Sequence, residues 1–368
     1  MSKEFTAHLP LNSVSFGQTS ILLLRTYLDN YDKYKDIANL DKMFLIGQPD
    51  FSAQEENPEF QKTVNDLLNN GLDKHKRSMP SFKLWHLNGS MESISNDPLL
   101  LTFYELDAPT PAEINIAKNN RVAFSSKYTQ SVFEQYGIKS DYIPLAFDKY
   151  NFKKIEGKKI QDGRVTFNIA GKFEKRKHHE RLIRAWIKRF GNNPKYFLQP
   201  CIYNPHFPNA EQEYQKIIQH LTGGQRIFNV QFYGHMVQNK LYNDYLNSGD
   251  IIIGMSGGEG WGLPEFQSVA LGKHAVIMNP HGYKEWANEK NSVLVEPKGK
   301  IDAADGFFFH KGGPWNQGQI FDFSEEEFIA ACEEAVARVE KSRENTEGLK
   351  LQEDFSSEKM VEAVLKAV

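Results

Sequence analysis

The sequence predicts an α/β fold built on parallel sheets, arranged as two domains. Three observations carry this. Short apolar runs alternate with amphipathic helical patterns along the chain, as parallel strands joined by helices require. The length of 368 residues, at about 150 residues per domain, leaves room for two. Residues 149–163 (KYNFKKIEGKKIQDG) are rich in Lys, Gly and polar groups, lack an apolar period and divide the alternation into two series, with a boundary near residue 155.

Residues 5–9 read as the first strand. Residues 12–19 read as a polar loop carrying Gly17, and Ser20 as the cap of a helix through 21–31 with Leu23, Leu24 and Leu28 on one face. Further strands are expected at 43–47, 82–86, 99–104, 121–125 and 142–144, and a polar helix outside the core within 54–76. The second series reads strand 165–169, helix 179–190, strand 196–202, helix 211–221, strand 229–232, helix 239–247 and strand 251–254. In helix 179–190, Leu182, Ile183, Trp186, Ile187 and Phe190 share one face, and Arg181, Arg184, Lys188 and Arg189 take the rest. Pro264 and Gly272 bracket a short helix at 265–271. Ser324 and Glu327 form a candidate capping box ahead of a helix that presents Phe328, Cys332, Ala335, Val336 and Val339. A last helix, 357–368, presents Met360, Val361, Val364 and Leu365.

Composition narrows the function classes. Lys plus Arg is 44 and Asp plus Glu 47, a net charge of −3, which excludes binding of nucleic acid through overall basicity. Gly 26 and Pro 16 exclude collagen-like and low-complexity chains. Cys201 and Cys332 are too few for a disulfide scaffold, so the expected setting is the reducing cytoplasm. The N-terminal residues carry no apolar run of signal-peptide length, and no run approaches the roughly 20 residues of a membrane span. The expectation is a cytoplasmic protein without stable membrane insertion.

Two segments could carry chemistry. Residues 254–277 (GMSGGEGWGLPEFQSVALGKHAVI) place glycines 257, 258, 260 and 262 between an apolar strand and a helix. Such a turn exposes backbone N–H groups where the helix dipole favours an anion, at the strand end where open α/β sheets bind ligands. The spacing is neither GxGxxG nor GxxxxGK[ST]. By itself it reads equally as an anion site or as a structural turn. Residues 168–186 (NIAGKFEKRKHHERLIRAW) set Lys172, Lys175, Arg176 and Lys177 between a strand and a helix. A phosphate there would meet charge and dipole together, each charge-assisted hydrogen bond contributing about 1.5–3 kcal/mol; a solvated charged loop is the plainer alternative. His178, His179 and Glu180 do not form HExxH, and no zinc helix is indicated.

In this order the two segments resemble the retaining nucleotide-sugar glycosyltransferases of family 4. The resemblance implies the GT-B fold: two facing Rossmann-like domains with parallel sheets, and a C-terminal helix crossing back to the first. It divides the chain into an acceptor domain at 1–154, a donor domain at 155–345 and a returning helix at 346–368. Family members carry Arg or Lys after the first strand of the second domain and a Lys a few residues on, gripping the donor diphosphate. Lys172 and Lys177 match. The family's E-G-F-G-L-P-x-x-E-A-x-A-x-G reads here E-G-W-G-L-P-E-F-Q-S-V-A-L-G, from Glu259 to Gly272. Glu259 falls near the donor sugar, and Gly258, Gly260, Trp261, Gly262 and Leu263 form the loop at the diphosphate. Gln267 replaces the glutamate that binds the ribose hydroxyls; it can still hydrogen-bond two hydroxyls but lacks the charge. Glu265 lies about 200° away on the helix and is not preferred for that contact.

Residues 10–20 (PLNSVSFGQTS) resemble the family's first glycine loop, with Gly17 near the donor phosphates and the acceptor. Glu105, Ser126, Asp148, Gly282 and Glu285 match further family positions, while Asn291 and Ser292 replace the usual N-G. Many relatives end the strand at 99–104 with a histidine; here Tyr104 or Glu105 stands there, and His86 at the end of KLWH is a third candidate.

The resemblance implies transfer of a sugar from a nucleoside-diphosphate donor, UDP-linked by the commonest pattern, to an acceptor hydroxyl with retention and without a metal or other cofactor. The catalytic set is Glu259, Lys177, Lys172, Glu105 and Tyr104. The acceptor stays open among saccharide, lipid-linked glycan, protein and modified DNA base. The basic-aromatic stretch 73–86 (DKHKRSMPSFKLWH) is what suggests DNA. The replacement of glutamate by Gln267 and the missing histidine support an alternative, a nucleotide-sugar-binding protein without turnover. A GT-B-shaped epimerase is a third reading.

Overall fold

The computed structural model describes residues 3–160 and 163–368; Gln161 and Asp162 of the expected linker lie outside the described residues. The chain forms two units. The first holds residues up to Asn151 together with Phe309–Gly318 and Gln352–Val368; the second holds Phe152–Phe308 and Gln319–Leu351.

In the first unit the order is β1 (Lys3–Leu9), α1 (Ser15–Asp29), α2 (Tyr31–Tyr34), β2 (Ala38–Leu45), α3 (Pro58–Lys74), β3 (Ser81–Leu84), β4 (Pro98–Thr102), α4 (Pro111–Asn119), β5 (Arg121–Phe124), α5 (Lys127–Glu134) and β6 (Asp141–Tyr142). The six strands are all parallel, in the order β2-β1-β3-β4-β5-β6. Leu99, Leu100 and Leu101 of β4 are all buried, the continuous apolar run expected of a strand covered on both faces.

Three elements differ from the sequence expectation. Helix α1 starts at Ser15 rather than after Ser20. The apolar period begins only at Ile21, but Phe16, Gly17 and Thr19 are already buried. Gly17 permits this, because a Cβ there would stand 2.2 Å from Asn12 Oδ1 and 2.4 Å from Asn12 O. Strand β2 starts at Ala38, not 43, since Ala38, Leu40 and Met43 are buried and the strand pairs along the length of β1. Helix α3 is polar overall, as expected, yet buries Val64, Leu67 and Gly71 and packs on β2.

The second unit runs β7 (Val165–Ala170), α6 (His179–Phe190), β8 (Tyr196–Cys201), α7 (Ala210–Thr222), α8 (Asn239–Ser248), β9 (Ile251–Gly254), α9 (Leu263–Ala270), β10 (His274–Met278), β11 (Val293–Val295), β12 (Lys300–Asp302), β13 (Gln319–Phe321), α10 (Glu325–Lys341) and α11 (Thr346–Leu349). Five parallel strands follow the order β11-β10-β9-β7-β8, and β12 and β13 form a separate antiparallel pair. Helix α6 puts Leu182, Ile183, Trp186 and Phe190 into the core beside Phe167. The expected strand at 229–232 forms only the isolated bridges Leu198↔Val230 and Cys201↔Tyr233. The segment still bonds to β8, through Leu198 N to Asn229 O and Gln231 N to Leu198 O, and the Asn229 amide anchors it further by donating to the carbonyls of Phe190, Asn193 and Tyr196. Ser324 caps α10 by accepting from Glu327 N, while the Glu327 carboxylate pairs with Lys298 at 2.8 Å.

After α12 (Leu351–Asp354), helix α13 (Ser357–Ala367) ends the chain in the first unit. It packs on α1, buries Met360, Val361, Val364 and Leu365, and pairs Glu362 with Lys33 at 2.8 Å. Among the described residues no helix is long and apolar enough to cross a membrane.

Candidate functional site

Strand β7 has β8 on one side and β9 on the other. The carboxyl ends of β7 and β9 therefore flank the point where strand order reverses, the crevice in which open α/β sheets take ligands. Both informative sequence segments leave from these two ends.

From β7 the chain passes Gly171, at φ +118, a conformation open to glycine. A Cβ there would lie 3.0 Å from Lys177 Cε and 3.2 Å from its Nζ, so the glycine makes room for the lysine to lie across the strand end. Residues Lys175–Lys177 form a single helical turn, His178 adopts φ 55, and α6 begins at His179. Lys175 Nζ donates to the carbonyls of Asp302 (2.7 Å) and Ala304 (2.8 Å). Gly257 N donates to Arg176 O at 2.7 Å, and Phe321 N to Gly257 O at 2.8 Å. These bonds join the turn to the loop after β9 and to the β12–β13 pair.

From β9 the glycine-rich loop carries Glu259 inward. Glu259 Oε1 accepts from Lys177 Nζ and from Arg176 Nη1, each at 2.6 Å. Arg176 Nη1 also donates to Gly258 O at 2.8 Å, and its Nε stands 2.9 Å from Glu174 Oε2. All four charged side chains are buried. Burial works to raise the Glu259 carboxyl, but Arg176 and Lys177 outweigh it and hold the carboxyl below its usual range. Burial works to lower the Lys177 ammonium; Glu259 outweighs it and the pKa rises. Both groups are therefore charged.

Residues 280–286 form the floor of this loop. A Cβ on Gly262, which has φ +83, would meet Tyr283 Cε1 at 2.1 Å. Gly282 N donates to Glu259 O at 3.1 Å, and Trp286 Nε1 to Trp261 O at 2.9 Å. Helix α9 starts directly behind Gly262, with no side-chain cap and with Pro264 in its first turn. Two buried cations beside an uncapped helix N-terminus make an arrangement that can hold a multiply charged anion.

The structure thus groups Lys177, Gly258, Glu259, Gly260, Trp261, Gly262 and Leu263 around one strand junction. Gln267 is buried on α9, as is Glu265. Lys172 is half-exposed at the rim: its Nζ is 3.3 Å from Glu174 Oε1 and 4.9 Å from the Phe308 ring centroid. His206 and Phe307 flank that ring, and Phe207 packs on Phe307 in turn. The remaining candidates belong to the first unit. Gly17 is in α1, and the exposed His86 ring lies 4.4 Å from Phe16. Tyr104 is buried and its hydroxyl donates to Glu113 Oε2 at 3.0 Å; burial and Glu113 both push its pKa up. Glu105 beside it is half-buried. Within 73–86, Lys83 turns inward and donates to the carbonyls of Gly89 and Glu92, while Lys74, Lys76 and Arg77 stay exposed. Among the described residues no group of three or more His, Cys, Asp or Glu side chains could hold a metal ion.

The sequence named Arg176 among the cations and weighed Glu265 for another contact, but gave neither its place here, and it missed Gly171 and Tyr283. Arg176 shares Glu259 equally with Lys177 but lay hidden in a run of cations. Gly171 was marked by its place directly after the strand. Tyr283 gave no signal and Glu265 was set aside as a ribose contact, because only the fold brings them beneath the glycine loop.

No protein-family profile matches the chain, and no curated protein does. Solved structures do. Sucrose-phosphate synthase from Thermosynechococcus elongatus superposes with a TM-score of 0.66 at 13% identity, covering 98% of this chain and 97% of that one. A glycosyltransferase from Rickettsia africae gives 0.63 at 13%, covering 99% and 97%. Anabaena HepE, solved with UDP and glucose, gives 0.63 at 14%, covering 99% and 98%. At such identities the likeness establishes the architecture, two Rossmann-like parallel-sheet domains of the GT-B fold.

Proposed function

We propose that the chain is a glycosyltransferase, of the retaining family 4 type, that moves a sugar from a UDP-linked donor to an acceptor hydroxyl. The observation that carries this reading is the Lys177–Glu259–Arg176 cluster set against the glycine loop and the uncapped start of α9. A diphosphate seated there meets Lys177, with Lys172 at the rim and the N–H groups of Gly258 to Leu263 behind it. As the bond to the sugar breaks, negative charge grows on the diphosphate, and these fixed positive groups stabilise it without a metal ion. Glu259 orients sugar hydroxyls. Its pairing with two cations keeps it ionised and makes it a poor nucleophile, which agrees with same-face attack in which the leaving phosphate accepts the acceptor's proton. Gln267 takes the ribose hydroxyls. Tyr104 and Glu105 are the first unit's candidates for contact with sugar or acceptor. Unpaired Cys201 and Cys332 support a reducing, cytoplasmic setting.

The test is a thermal-shift panel of nucleoside diphosphates and nucleotide sugars with wild type and Lys177→Ala, followed by UDP release with candidate acceptors. A shift with UDP and UDP-glucose that vanishes in the variant, and UDP release that depends on an acceptor, support the reading. Donor binding without release under any acceptor favours a binding protein. The absence of any shift rejects the donor site.

A further inference from the structure

Glu265, in the first turn of α9, is 3% exposed and points back into the strand junction. A Cβ on Gly254, at the end of β9, would fall 2.5 Å from Glu265 Cγ, 2.9 Å from Ile277 Cδ1 of β10 and 3.2 Å from Tyr283 Oη. Glu265 Oε2 is enclosed, and the Tyr283 hydroxyl, enclosed likewise, is its side-chain neighbour. The titratable groups facing this carboxyl are Lys177 from the turn before α6, Glu259 from the glycine loop, Tyr242 from α8 and Tyr283 from residues 281–285. Arg176 and His281 face Glu259 in turn. His281 does not titrate near neutrality, because burial lowers it to about 4.

The charges decide what this carboxyl does. Lys177 and Arg176 bring two positive charges, and their partners Glu259 and Glu174 two negative ones. The buried cluster is neutral while Glu265 holds its proton, and carries one net negative charge when it does not. An incoming diphosphate adds negative charge to the same cluster.

We propose that Glu265 governs the anion affinity of this site: as the neutral acid it admits a diphosphate onto Lys177, as the carboxylate it opposes one, and binding draws a solvent proton onto Glu265. The proposal rests on the assignment of Lys177 and the glycine loop as a diphosphate site. No other bond forms or breaks, and the proton acquired on binding is returned on release. Burial raises the Glu265 carboxyl to about 7, with Lys177 opposing and Glu259 adding to the rise, so the exchange falls at neutral pH.

UDP-glucose is the suitable probe, because each of its phosphates has one ester link, one anhydride link and a single strongly acidic oxygen, so its charge is constant near neutrality. Calorimetric titration at pH 7 in two buffers of different ionisation heat counts the protons taken up. Wild type is expected to gain a fraction of one proton per UDP-glucose and to lose about tenfold in affinity from pH 6 to 8, following the protonated fraction of Glu265. Glu265→Gln is expected to gain none and to keep the pH 6 affinity throughout. Zero proton uptake by wild type, which needs no variant, overturns the proposal; so does a pH slope that persists unchanged in Glu265→Gln. Failure of wild type to bind UDP-glucose at any pH rejects the diphosphate site itself, a separate result.

Discussion

Glu259 and Glu265 are six positions apart and live in opposite electrostatic settings, and each gives its own pH signature. Glu259 is held below the ordinary carboxylate range by Arg176 and Lys177. Its contribution to stability is therefore present above the unfolded value near pH 4.5 and is lost as pH falls toward its folded value. Glu259→Gln leaves two buried cations without their carboxylate and is expected to cost about 3–5 kcal/mol at pH 7 by denaturant unfolding. Glu265 runs the other way. Its folded pKa, about 7, lies above the unfolded one, so its contribution is complete below about pH 4.5 and is lost as pH rises through 7, a swing on the order of 3 kcal/mol. Glu265→Gln should flatten that part of the stability curve; an unchanged curve would place the carboxyl in water. Lys177 and Glu259 could be read in the sequence because a strand, a run of cations and a glycine turn are local patterns. Glu265 could not. Position 265 on a short helix looks like any first-turn acid, and only the approach of Gly254 and Tyr283 removes its solvent.

Glycines set the elements around the site. Gly171→Ala forces a side chain into φ +118 and onto Lys177, and should cost about 1–3 kcal/mol while weakening UDP binding. Phe308 presents its ring to Lys172, a contact worth about 0.5–1 kcal/mol at an exposed position. Phe308→Ala should therefore weaken UDP binding a few-fold and leave the melting temperature nearly unchanged; a large loss of stability would make the ring structural. Helix α6 and strand β9 were legible residue for residue, since five apolar side chains on one face and an uninterrupted Ile-Ile-Ile run leave no competing period. The start of α1 was not legible, because Ser15 to Ser20 carry no apolar repeat and Gly17 reads as a loop until Asn12 is seen against it. The β12–β13 pair escaped as well: three residues a side are too few for an alternation to register.

At the scale of the whole molecule, two series of alternating strands and helices sufficed to read the architecture, but the sharing of segments did not show. Chain order gives no hint that Phe309–Gly318 belongs with the first unit, where Thr110 Oγ1 donates to Pro314 O and Asn316 N to Glu113 Oε1. Removing Gln352–Val368 uncovers α1 and gives up the burial of Met360, Val361, Val364 and Leu365, each worth about 1.5–3 kcal/mol when fully buried. Hydrogen exchange should then rise in α1 and β1 while β7, β9 and β10 stay protected; equal loss of protection everywhere would mean that the two units unfold as one. The division also orders events on the ribosome. The second unit has all its residues once Leu351 has been made, whereas the first still lacks the 17 residues Gln352–Val368. At about 5–20 residues per second that is a lag of roughly one to three seconds, in which the unit begun first is the one finished last.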